Sequence, residues 1–330
     1  MEAINLYQID KLQYYYDKLF SLNVEHLDIP KGKIIGICGP NGSGKTTFLK
    51  ILAFLFEKNA GELIFNGDNI KKENMKRARR SVTMLMEEPY LLHRSVQDNI
   101  KYAMKLRNTY KNNSNYSFYL SMLGLNSEKY LYKHYNQLSL GERKRVAFLM
   151  HLILDRDVLI LDEPTNNIDE KSKKYCELTL RNIKNTGRTI ILSSHDIYFI
   201  LKHADIIHSM YKGRLYNNML LNIIDYNVDI VNENKQYHNE VNDILNKRSD
   251  SVKEIVINGN SVKYYLNKNN SGLIKASIIS TTLYNNRYVL TVDINNNICY
   301  LYYNNVTFSR NTLLPGSDIY LSLKDNVLNI

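Results

Sequence analysis

The 330-residue chain is 44% hydrophobic, enough for one large or two ordinary domains with true cores, and no apolar run reaches the roughly 18 residues of a membrane span. Its cysteines, Cys38, Cys176 and Cys299, are scattered without a C-x-x-C, which fits core residues in a reducing compartment and not a disulfide or zinc framework, and Met1–Asn5 shows no secretory signal. The net charge of +10 lies wholly in residues 1–222, with 33 basic and 23 acidic groups against ten of each in 223–330; the densest cluster, Lys71–Arg80, reads as a solvated face, with an anionic membrane surface or nucleic acid as competing partners.

In chain order, residues 1–35 alternate apolar and polar positions and predict strands joined by a tyrosine-rich turn. The apolar run Ile34–Cys38 predicts a buried strand, and Thr46 to Phe56 a helix. Gly61–Gly67 reads as a strand ending in an Asn-Gly turn, and Val82–Met86 as another buried strand. Helical patterning runs from Ser95 to about Tyr135, with a polar break at Asn112–Asn115, and resumes over Leu140–Leu154. Strand Val158–Leu161, helix Glu170–Ile183 and strand Thr189–Leu192 follow. Strands alternating with helices argue for a largely parallel sheet. After about Asn222 the pattern turns to short β-rich runs: Glu254–Ile257, Val262–Leu266, Leu273–Ile279, Tyr288–Ile294, Ile298–Tyr303 and Asp318–Leu323. These predict a small all-β barrel at 251–330 behind a linker at 223–250.

The segment Gly39-Pro40-Asn41-Gly42-Ser43-Gly44-Lys45-Thr46, followed by Thr47, has the form G-x-x-x-x-G-K-[ST] between a strand and a helix. Its glycines let backbone N–H groups curl around phosphate oxygens, and the helix adds the positive end of its dipole. Lys45 is placed to reach the β- and γ-phosphates, and the Thr46 hydroxyl to ligate Mg²⁺. Asp162 ends a hydrophobic strand at the carboxyl edge of the sheet, where it can hold Mg²⁺. Glu163 follows, suited to orient and deprotonate an attacking water. Alone, Asp162-Glu163-Pro164 is only a strand end; with the upstream loop it is a nucleotide site.

Leu138-Ser139-Leu140-Gly141-Glu142, ahead of the basic Arg143-Lys144-Arg145, resembles the signature loop of the ABC ATPases, usually written LSGGQ. Asn166–Asp169 resembles that family's D-loop and Ser193–Asp196 its switch loop. The resemblance implies an α/β fold: a P-loop ABC ATPase domain over 1–222 with a helical subdomain at about 88–140, plus a small C-terminal all-β, OB-like domain. It implies ATP and Mg²⁺ as ligands, Glu163, His195 and Lys45 as catalytic groups, and Tyr16 as an aromatic stacked on adenine. Residues 39–47 would cradle the nucleotide. Ser139, Gly141 and Glu142 would act on nucleotide held by a second copy, so a sandwich dimer is expected. Two positions depart from the family: Leu140 stands for the first signature glycine, and Glu87 for the usual glutamine, still able to ligate Mg²⁺ but adding negative charge near phosphates.

The chain carries one ATPase unit, so the resemblance further implies a separate subunit at the cytoplasmic face of the membrane, docked on integral permease subunits and served indirectly by an extracellular solute-binding protein. Nucleic acid is not an expected partner. Residues Pro89–Ile100 look like the stretch after the Q-loop in import ATPases, with Tyr90-Leu91-Leu92 either an exposed floor for a permease contact or internal packing. Leu314–Lys324 is similar to the closing strands of the oxyanion-binding barrel of molybdate and tungstate importers, and Arg94-Ser95-Val96 looks like tungstate-type subunits. Lys275, Arg287, Arg310 and Lys324 are the cations near that tail. Tungstate or molybdate is the favoured cargo; polyamine, sugar or iron import, and a soluble ATPase acting on ribosomes or DNA, are the rivals.

Overall fold

The computed structural model describes residues 4–15, 21–106, 120–125, 127–218, 220–225, 254–259, 262–265, 273–284, 287–294, 297–303 and 314–322. The expected adenine-stacking Tyr16 and the polar break at 112–115 lie outside them. The chain divides into two units, Met1–Asn218 and Met219–Ile330.

The first unit is built on ten strands: β1 (Asn5–Tyr15), β2 (Ser21–Pro30), β3 (Ile34–Cys38), β4 (Ala60–Phe65), β5 (Asp68–Asn69), β6 (Val82–Leu85), β7 (Val158–Asp162), β8 (Thr189–Ser194), β9 (Ile206–Tyr211) and β10 (Arg214–Tyr216). They form one sheet in the order β5-β4-β1-β2-β10-β9-β3-β8-β7-β6. The expectation of a largely parallel sheet holds only for half of it. β9, β3, β8, β7 and β6 run parallel, whereas β1 pairs antiparallel with both β2 and β4. The physical reason is connection length: a five-residue link between β1 and β2 permits only a hairpin, while parallel neighbours need a long crossover. Strands β3, β7 and β8 are buried along their whole length, as unbroken apolar runs covered on both faces should be.

Helix Lys45–Leu52 packs Phe48, Leu49, Ile51 and Leu52 into the core. Beside it Tyr7 is fully buried among Phe54 and Phe65. Its hydroxyl donates to the Leu52 carbonyl at 3.0 Å, which satisfies the one polar atom of an otherwise apolar site. Helix Ile197–His203 lies so close to β3 that a Cβ on Gly36 would meet Ile200 Cγ2 at 2.6 Å and Ala204 Cβ at 2.9 Å.

Helices Val96–Leu106 and Leu140–Leu154, with the short helix Ser127–Tyr130 between them in sequence, are among the described elements of the helical region and its flank. Asn99 is buried at the start of the first, and its side chain bonds Leu92 N, Leu92 O and Ser95 O. Within Tyr90–Leu92 the three residues differ: Tyr90 is 79% exposed, Leu91 only 4%, and Leu92 is half-buried. Among the described residues no helix is long and apolar enough to cross a membrane.

The second unit is all-β. Its described strands are β11 (Leu221–Asp225), β12 (Glu254–Asn258), β13 (Lys263–Tyr265), β14 (Ile274–Tyr284), β15 (Arg287–Ile294), β16 (Asn297–Tyr303) and β17 (Asp318–Ser322). β11 pairs antiparallel with β12, and a five-stranded antiparallel sheet runs β13-β17-β14-β15-β16. The expected linker therefore opens on strand: Ile223–Asp225 pair with Glu254–Val256, some thirty residues on. Asn222 mimics a backbone, donating to Tyr300 O at 2.9 Å and accepting from Tyr300 N at 2.7 Å. Of the four expected tail cations, Lys275 is neutralised by Asp318 at 2.7 Å. Arg310 and Lys324 lie outside the described residues, as does the Arg287 side chain.

Candidate nucleotide site

Cys38 ends β3 and helix Lys45–Leu52 begins after only six intervening residues, so the loop 39–44 must reverse tightly. Gly39, Gly42 and Gly44 do so with φ of 149°, 78° and 106°, values that side chains rarely tolerate. At Gly39 space also forbids a side chain, since a Cβ would sit 2.1 Å from the Met210 carbonyl oxygen. The loop lines a cavity of about 470 Å³ through Asn41, Gly42, Gly44, Lys45, Thr46 and Thr47, and Glu87 and Glu163 close its far side. Pro40 shapes the loop from behind: its carbonyl accepts from Ser43 N at 3.3 Å. The Ser43 hydroxyl oxygen is buried without a hydrogen-bond partner, the signature of a group awaiting a polar ligand.

Lys45 is 5% exposed and donates to the carbonyls of Gly39 at 2.8 Å and Pro40 at 3.2 Å. Its ammonium stands 3.4 Å from Glu163 Oε1. Asp162 accepts from the Ser193 hydroxyl at 2.6 Å. Burial raises the Asp162 carboxyl above its ordinary range, and hydrogen bonds from Ser193 and Thr46 oppose that shift. Thr46 and Asp162 are therefore in contact, and Glu87 lines the same cavity. This hard-oxygen set fits Mg²⁺, which takes one or two carboxylates and keeps its other positions for water and phosphate.

Glu163 has a left-handed backbone, φ 44°, and its N–H donates to the Ser193 carbonyl at 3.2 Å. One carboxylate oxygen, Oε2, takes bonds from His195 Nδ1 at 2.9 Å and from Ser194 Oγ at 3.3 Å. The other, Oε1, is buried without a hydrogen-bond partner among the described residues and lies 3.4 Å from the Lys45 ammonium. Lys45, Thr46, Glu87 and Glu163 thus line one cavity, while Asp162 reaches it through its bond from Thr46 and His195 through its contact with Glu163. Glu87 Oε1 accepts from the Asn166 amide at 2.7 Å, so the carboxylate that replaces a glutamine meets a donor from the D-loop segment.

Ser139, Gly141 and Glu142 do not line that cavity. Ser139 caps helix Leu140–Leu154, accepting from Glu142 N at 3.2 Å, while Glu142 returns a bond from Ser139 N at 2.9 Å. This capping box satisfies two otherwise orphaned amides. Burial works against the Glu142 charge, yet bonds from Ser139, Tyr130 and Lys133 outweigh it and hold the carboxyl below its usual range. Gly141 is pressed on the cap of the next helix, where a Cβ would meet Ser172 Oγ at 2.7 Å and Asp169 Oδ2 at 2.9 Å. Leu140 opens the helix with its side chain 45% exposed and is not among the residues with positive φ.

Two groups escape sequence reasoning. Ser193 bridges Asp162 and Glu163, although only its neighbour His195 carries an obvious signal. Lys144, in a run of three basic residues that suggests a solvated face, is only 4% exposed.

Residues 22–166 match the ABC transporter family. The chain is 34% identical over 210 residues to the lantibiotic transport ATP-binding protein SrtF of Streptococcus pyogenes, covering 63% of this chain and 88% of that protein. It is 34% identical over 195 residues to the tungstate uptake system ATP-binding protein TupC of Peptoclostridium acidaminophilum, covering 59% and 89%. The solved structure of cbiO1 from Clostridium perfringens, part of the ABC transporter complex cbiONQ, matches with a TM-score of 0.55 over 72% of this chain and 94% of that one. At 24% identity this likeness speaks for the fold. A phosphate loop, an Asp-Glu pair at the neighbouring strand end and a histidine on that glutamate agree with those matches: the chain belongs to the ABC transporter family, as one of its ATP-hydrolysing cassettes.

Proposed function

We propose that two copies of the chain sandwich ATP and drive solute uptake through membrane-embedded permease subunits, with tungstate or molybdate as the cargo. The observation that carries the hydrolytic part is the carboxylate of Glu163. His195 and Ser194 anchor its Oε2; Oε1, buried 3.4 Å from the Lys45 ammonium on a residue that lines the cavity, is assigned as the atom that accepts a proton from water attacking the γ-phosphorus once nucleotide engages Lys45. The proton moves to Oε1, a P–O bond forms to the water oxygen, and the bond to the ADP oxygen breaks. Lys45, fixed by two loop carbonyls, is the point charge that meets the β- and γ-phosphates. Mg²⁺, held by Thr46, Asp162 and Glu87 when bound, supplies charge neutralisation on those phosphates.

The sandwich rests on placement. Ser139 and the exposed Leu140 lie at a helix N-terminus outside the cavity of their own chain, so a second copy is the natural recipient of those donors. Tyr90, exposed beside the helical region, offers an apolar contact to the permease, which a solute-binding protein outside the cell would load.

The cargo assignment leans on the likeness of Leu314–Lys324 and Arg94–Val96 to tungstate-type subunits. The described tail contains the matching turn, with Gly316 at φ 84°, and the strand Asp318–Ser322. Lys275 of that tail is paired with Asp318 at 2.7 Å. Purification of the tagged chain from membranes, followed by reconstitution of the co-purifying integral protein in vesicles, tests the proposal. ATP-dependent accumulation of tungstate is the expected result. Accumulation of a polyamine or peptide with tungstate inert would move the cargo and leave the coupling standing. Co-purification with ribosomes or DNA and no membrane protein would overturn the transport reading.

A further inference from the structure

The turn that carries Glu163 is held from two sides. On one side strand β8 fixes the Glu163 N–H through the Ser193 carbonyl and hydroxyl, each at 3.2 Å. On the other, the Lys144 ammonium reaches across from helix Leu140–Leu154 and donates to the Asn166 carbonyl at 2.6 Å and the Glu163 carbonyl at 3.4 Å. Glu163 O also accepts from Asn166 N at 3.2 Å. The turn contains two left-handed residues other than glycine, Glu163 at φ 44° and Asn167 at φ 56°. Such backbone persists only where its surroundings dictate it.

Burying an ammonium is unfavourable, and burial indeed depresses the Lys144 pKa below the ordinary lysine range while the nearby Glu87, Glu163 and Asp162 charges oppose the shift. A methionine would fill the same space without that penalty, but it would take the ammonium donor from the Asn166 carbonyl and leave the Glu163 carbonyl with Asn166 N alone. The same turn sends the Asn166 amide to Glu87 at 2.7 Å. One ammonium thus ties the signature helix to the Glu163 backbone and to the residue that positions Glu87.

We propose that Lys144 is a positioning residue for hydrolysis: it locks the Glu163–Asn167 turn so that the Glu163 carboxylate and Glu87 face the cavity together. The proposal rests on Glu163 acting as the base. Misplacement of a reacting group by about 1 Å costs on the order of a hundredfold in rate. Purified full-length Lys144→Met should therefore lose roughly ten- to a hundredfold in kcat for ATP hydrolysis, with KM and nucleotide affinity within about twofold of the parent. Lys144→Arg, which keeps a cation and donors, should recover most of that loss. Lys144→Gln carries the test if the methionine variant does not fold. Hydrogen exchange read by mass spectrometry should show faster exchange over residues 163–169 in the variant, with residues 39–46 unchanged. A kcat within twofold of the parent, or kcat and affinity falling together, would overturn the proposal, as would unchanged exchange over 163–169. Glu163→Gln serves as the reference: full turnover in that variant sinks the base assignment, whereas the exchange data still report on the Lys144 lock.

Discussion

Replacing Glu163 with glutamine removes one charge from the site and changes almost nothing in shape. The remaining side-chain oxygen can still accept from His195 and Ser194, whose present distances to Oε2 are 2.9 and 3.3 Å. The new NH₂ takes the place of Oε1, 3.4 Å from the Lys45 ammonium, so an attraction becomes donor against donor. Lys45 retains the Gly39 and Pro40 carbonyls, which limits the loss of folding stability to about 1–3 kcal/mol. Turnover is the larger effect. A general base contributes about 10²–10⁴-fold, or roughly 3–5 kcal/mol of barrier. Phosphate release from full-length Glu163→Gln should fall by that factor while Mg-ATP still binds. The assay is a phosphate-release time course paired with equilibrium binding of labelled ATP. Release at the parental rate would refute the role given to Glu163. Loss of both binding and release would instead assign the carboxylate to the cradle.

Gly141→Ala forces a methyl into contacts of 2.7 and 2.9 Å with the Ser172 and Asp169 side chains; relieving them breaks the Asp169 cap on Ser172 N. Cap loss and overpacking together should cost about 2–4 kcal/mol, read as a lower midpoint in urea. Gly39→Ala meets backbone at 2.1 Å and a φ of 149°, so it should destabilise by more than about 3 kcal/mol and yield little folded protein; a normal melting transition would contradict the loop geometry. His208 is 2% exposed, its Nδ1 accepts from Asn218 N, and its Nε2 lacks a partner. Burial holds its pKa at about 4 against an ordinary 6.5, so the unfolded chain binds the proton first. Stability should fall as pH drops from 7 to 5, by roughly 2 kcal/mol from this residue. His208→Phe should reduce the overall slope by that amount, leaving the share of His151 and His203, whose pKa values burial also lowers to about 4, and an unchanged slope would refute the assignment.

Much of the site is legible in the chain because its residues are adjacent. Gly39–Thr46 and Asp162-Glu163 each occupy one turn, and their neighbours Ile34–Cys38 and Val158–Leu161 are unbroken apolar runs that admit only a buried strand. What escapes is long-range. Nothing near Ser193 shows that its hydroxyl will bond Asp162 thirty-one residues earlier. Lys144 looks solvated by composition, and only the packing of its helix against the Glu163 turn turns it inward. The mixed sheet was missed because alternation in residues 1–35 predicts strands without their direction. Ile223–Asp225 lack any turn signal to mark them as the start of the second unit. Leu140 sits where a glycine is expected, and the structure removes part of the objection: the position opens a helix, with its side chain pointing outward to solvent.

The proposed nucleotide site is completed by a second copy of the chain. Light scattering of dilute full-length Glu163→Gln, with and without Mg-ATP, is the direct check. Mg-ATP should raise the mass from 38.6 kDa toward twice that value, and adding Ser139→Arg to the same variant should erase the rise. A mass distribution that Mg-ATP leaves unchanged, or a rise that survives Ser139→Arg, would contradict the shared site.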